Sequence, residues 1–72
     1  MTNEVKLEKK LDATQRMLSS ILKTATSLDE KVNSDVVDVE RAFKTLVDVI
    51  KLDCLKAGTA MFKIDMEETD ND

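Results

Sequence analysis

Apolar side chains recur along the first half of the chain at alternating steps of three and four. One register reads Leu11, Leu18, Ala25 and Val32 and the other Leu7, Thr14, Ile21 and Leu28, so that seven of eight positions are apolar. A beat of seven held from residue 7 to 32 predicts an amphipathic helix with a coiled-coil-like seam. Met17 and Leu22 flank the stripe and widen it beyond a bare two-stranded seam. A second stripe reads Val36, Val39, Phe43, Leu46, Ile50, Cys54, Ala57, Met61 and Ile64, again at helical spacing, with one added residue between Ile50 and Cys54. Val47 joins this face. Val37, Leu55 and Phe62 lie about 100–120° from it at 3.6 residues per turn, and Ala42, Val49 and Leu52 lie on further sides. A helix apolar over more than one face needs more than one neighbour, as in a bundle of four helices built from two chains.

Between the stripes stands Lys31-Val32-Asn33-Ser34-Asp35. Asn33 suits a left-handed residue just past a helix end, and Ser34 suits the cap of a following helix. Asp35 and Asp38 would then lie in that helix's first turn, where negative charge is favourable. The pattern predicts an all-α fold: an antiparallel hairpin with helices over about 4–32 and 35–57, pairing into a dimeric four-helix bundle. Two other arrangements fit the same residues. Leu28, Val32, Val36 and Val39 also join the stripes into one long coiled-coil helix, since no proline or glycine precedes Gly58. Ser27-Leu28-Asp29-Glu30 fits a capping box that would start a third helix.

Beyond Gly58 the pattern has two readings. Ala60, Phe62, Ile64 and Met66 are apolar at every second position, while Met61 and Ile64 continue the helical stripe. Segment 59–68 is thus either a docking element that offers Phe62, Ile64 and Met66 to a partner's groove or the finishing turn of the core. Residues 67–72 form an acidic tail, expected to be disordered.

Composition narrows the picture. A single glycine and no proline leave too few turn residues for a β-sandwich or barrel in 72 residues. A chain this short rarely gathers more than ~3–5 kcal/mol from its own core. One cysteine excludes an internal disulfide, and a lone thiol without any histidine cannot complete a zinc site. Association is the remaining source of stability, and Leu11, Leu18, Ile21, Leu28, Phe43, Leu46 and Ile50 are the residues expected to carry it. An unpaired cysteine fits a reducing, intracellular compartment, cytoplasm or nucleus. No apolar run approaches the ~18 residues of a membrane span.

The net charge of -4 is gathered at one end: residues 2–32 carry +1, residues 33–57 carry -1 and residues 58–72 carry -4. A near-neutral body is a poor generic binder of nucleic acid, whose affinity comes from Lys and Arg neutralising phosphates. Lys9, Arg16 and Lys23, about 10.5 Å apart along a helix, are the one line that could follow a phosphate backbone. Glu8 and Asp12 interrupt it, and no aromatic joins it.

No catalytic constellation is present, because Cys54 has no histidine to activate it and there is no Gly-rich phosphate loop. Cys54 is expected to lie buried as a small hydrophobe. Most carboxylates have a basic neighbour at helical spacing: Asp12 with Arg16, Asp38 with Arg41, Glu40 with Lys44, Asp48 with Lys51, Asp53 with Lys56. No metal or cofactor is implied. The expectation is a non-enzymatic interaction module, an adaptor, regulatory subunit or inhibitor that binds its own copies and a larger protein; a dimeric nucleic-acid binder is the alternative.

Overall fold

A computed structural model describes residues 2–67. Helix α1 spans Asn3–Asn33 and helix α2 spans Val39–Met66. They pack against each other, with no strand among the described residues, as an all-α helical hairpin. Neither the single long helix nor the third helix forms, and Ser27–Glu30 lie inside α1.

The ends of both helices have local causes. Thr2 caps α1, its hydroxyl accepting from the Val5 N–H at 3.2 Å, and Glu4 occupies the first turn while Lys31 occupies the last, each the favourable charge for its end. At the turn Asp35 adopts φ 60°. The Val36 N–H then donates to the Lys31 carbonyl at 2.9 Å and the Asp35 N–H to the Val32 carbonyl at 3.1 Å. These two bonds around a left-handed residue make a Schellman motif, which satisfies carbonyls the helix leaves over.

The boundaries therefore differ from those the sequence suggested. Asp35, not Asn33, takes the left-handed position, and Asp38, not Ser34, caps the second helix, its Oδ1 accepting from the Arg41 N–H at 2.8 Å. Helix α2 starts four residues later than expected and runs through Gly58 to Met66 instead of stopping near residue 57. Gly58 lowers helix propensity by about 1 kcal/mol relative to alanine, which is too little to break a helix held by packing on both sides of it. Residues 59–66 are helical, so the every-second-residue reading of that segment does not apply. Residues 68–72 of the acidic tail lie outside the described residues.

The rod measures 58 × 15 × 9 Å, and its radius of gyration is 16.6 Å. A globular chain of this length would have about 11 Å. Among the described residues only Ala42, Ala57 and Ile64 are buried, and no side chain is fully enclosed. Two helices side by side have no interior, only a seam.

Candidate interaction surfaces

The seam sets every other surface. On α1 the half-buried positions are Lys6, Lys10, Ala13, Thr14, Met17, Ile21, Thr24, Ala25, Leu28 and Val32. On α2 they are Leu46, Val47, Val49, Ile50, Asp53, Ala60 and Met61, beside the three buried residues. Ion contacts fix the register at the open end: Lys10 pairs with Asp65, Lys9 Nζ lies 3.5 Å from a Glu67 oxygen, and Lys6 Nζ donates to the Asp65 carbonyl at 3.4 Å. Counting back from this clasp at equal rise per residue brings Leu18 level with the Cys54–Ala57 turn.

The expected self-association residues divide into two groups. Ile21, Leu28, Leu46 and Ile50 lie along the seam and hold the hairpin itself together. Leu11 and Leu18 stay 57% exposed and Phe43 66%. At 100° per residue Leu7, Leu11, Leu18 and Leu22 form one stripe about 90° round from the seam of α1. Phe43, Val47 and Cys54 lie about 70–110° round in the same sense on α2. In an antiparallel pair, equal rotations from the seam point to the same side. One flank of the rod therefore carries a broad apolar face contributed by both helices. Cys54 belongs to it and is exposed, contrary to the buried position expected for it, because the seam turned toward Asp53, Ala57 and Ala60.

The opposite flank holds an open groove of about 700 Å³, floored by small or slender residues such as Ala13, Ala57 and Ala60 and rimmed by Lys9, Arg16 and Lys56. Asp53 also lines it, and among the described residues its Oδ2 has no hydrogen-bond partner. Of the intrahelical ion pairs expected, Asp12–Arg16 (3.0 Å) and Glu40–Lys44 (3.7 Å) are present. Asp38 spends its carboxylate on the α2 cap instead, and neither Asp48–Lys51 nor Asp53–Lys56 closes among the described residues. Lys9 and Arg16 each meet a carboxylate, which weakens the basic line they were to share with Lys23.

A third surface lies on α2 away from the seam. Leu52, Leu55, Thr59, Phe62 and Met66 follow one another at steps of three, four, three and four, a single stripe about 155° round from the seam. Its four apolar members are all more than half exposed. Phe62 and Met66, two of the expected docking residues, stand on it, whereas Ile64 is buried in the seam. The sequence pattern alone missed Leu52 as a member of this set; its step of three to Leu55, followed by seven to Phe62, was the available signal.

No family model, curated protein or solved structure matches the chain. Its surfaces alone speak for its function. Among the described residues no helix is long and apolar enough to cross a membrane, and no cluster of three or more His, Cys, Asp or Glu side chains could hold a metal ion.

Proposed function

We propose that the chain is a non-enzymatic protein-interaction module, a small adaptor or regulatory subunit that pairs with its own copy and offers a further surface to a larger protein. The observation that carries this reading is the thinness of the seam. Among the described residues the hairpin buries three side chains while twelve large apolar residues remain at least 40% exposed. Its accessible surface is 5652 Å² for a mass of 8.1 kDa, against about 4500 Å² for a compact monomer of that mass. Isolated hydrophobic residues on a surface are ordinary, but contiguous apolar patches mark interaction sites.

The flank bearing Leu7, Leu11, Leu18 and Leu22 beside Phe43, Val47 and Cys54 is the face a second hairpin covers, giving a four-helix bundle. Sedimentation equilibrium on the full chain should report two copies. The rate at which a maleimide labels Cys54 should fall as protein concentration rises through the association range. A single-chain mass at every concentration, with a labelling rate independent of concentration, would overturn the reading. The nucleic-acid alternative has less support, since Lys9 and Arg16 already face carboxylates.

A further inference from the structure

The outer stripe of α2 is not explained by pairing on the leucine-bearing flank. It points nearly opposite the seam, and one flat face cannot cover both surfaces. Phe62 is 65% exposed and Met66 68%, and Leu52 to Met66 spans about 21 Å of helix at 1.5 Å per residue. Its borders share one sign. Lys51 lies on one side of the stripe, and Lys56 and Lys63 lie on the other, each about 55–85° from its centre by helical position. Among the described residues none of the three has a carboxylate within ion-pair distance, whereas Lys9, Lys10, Arg16 and Lys44 all do. Asp48 stands one turn ahead of Leu52, at the head of the stripe, as its one acidic residue. A chain of net charge -4 thus keeps a basic rim around one apolar strip.

The geometry points to this stripe as the docking site for an amphipathic helix of a different protein, one whose apolar residues are bordered by Asp and Glu. Helix-on-helix recognition reads apolar anchors at three-four spacing, and the sign of the rim selects among partners. Two such stripes from copies of this chain would bring lysine borders together, so charge disfavours self-pairing here. An anionic membrane would attract the lysines, but the overall negative charge opposes it, and Thr59 interrupts the apolar strip at its middle. This inference rests on the other flank being the self-association face, and the test separates the two.

The probe is a fluorescent 18-residue synthetic helix with leucines at three-four spacing and glutamates on both borders, alongside a twin with lysines instead. Full-length protein should bind the glutamate peptide at least tenfold more tightly in low salt, as measured by anisotropy. The triple variant K51E/K56E/K63E should reverse that preference, and Phe62→Asp or Leu55→Asp should abolish binding while circular dichroism and the sedimentation mass stay unchanged. Equal binding of both peptides, or none, would overturn the proposal. So would wild-type affinity in both Phe62→Asp and Leu55→Asp. Binding to phosphatidylserine vesicles in place of the peptide would assign the stripe to membrane, and conversion of Phe62→Asp to monomer would assign it to a second copy. Either result would overturn the proposal as well. A monomeric wild-type chain that still binds the glutamate peptide would sink the self-association reading and leave the docking site standing.

Discussion

Leu18 offers the sharpest separation between holding the hairpin together and holding two hairpins together. Complete burial of a leucine side chain contributes about 1.5–3 kcal/mol. In the hairpin 57% of Leu18 remains exposed, so roughly 1–1.7 kcal/mol is still to be gained per copy when a second chain covers it. In a symmetric pair the residue counts twice, for roughly 2–3.5 kcal/mol. Leu18→Ala should therefore raise the dissociation constant about 30- to 300-fold. The same change should alter the helicity of the separated chain very little, because alanine is at least as good a helix former as leucine and the lost contacts within the hairpin are few. Sedimentation equilibrium across a thousandfold concentration range measures the first quantity and circular dichroism the second. Ser19→Ala, one position round and exposed, is the control that should leave association unchanged. A shift below about threefold for Leu18→Ala, or loss of helicity in the separated chain, would refute the placement of this face.

Other expectations concern the backbone. Asp35→Gly should stabilise the fold by about 0.5–1 kcal/mol, since φ 60° is a conformation glycine enters freely; urea unfolding at fixed protein concentration checks it. Gly58→Ala should raise the same unfolding midpoint by a similar amount, because Gly58 is helical and a Cβ there meets nothing within 4 Å. Asp38→Ala should lose about 1 kcal/mol with the cap on the Arg41 N–H, and Asp38→Asn should keep most of it.

The hairpin was legible in the sequence because two apolar stripes flank a short polar stretch rich in capping residues. What the stripes could not reveal was which half of each would face the other helix. A strict repeat of seven drifts by about 20° per heptad against a straight helix, so Leu7, Leu11 and Leu18 form one edge of a band whose other edge is Thr14, Ile21 and Leu28. The alanines decide between the edges. Ala13, Ala57 and Ala60 carry too little apolar area to advertise a core position, yet they allow close approach, and the seam turned toward them. Their turn left Cys54 outside and Leu11 and Leu18 available. The turn itself offered Asn33, Ser34, Asp35 and Asp38 within six residues, all competent at helix ends, and short-range pattern could not rank them. Gly58 looked like a stop signal, but helix breaking by a single glycine is weak when packing continues on both sides, as Ala57 and Ile64 show.

The clasp at the open end has a mechanical consequence. Thr2 and Glu67 leave the rod at the same pole, while Asp35 sits at the other, about 46 Å away along α1. A load applied through the two ends would peel the helices apart one turn at a time, beginning with the Lys10–Asp65 and Lys9–Glu67 pairs, instead of sliding one along the other. Such unzipping meets each contact singly, so rupture forces should be low and should fall further as salt screens the first two links.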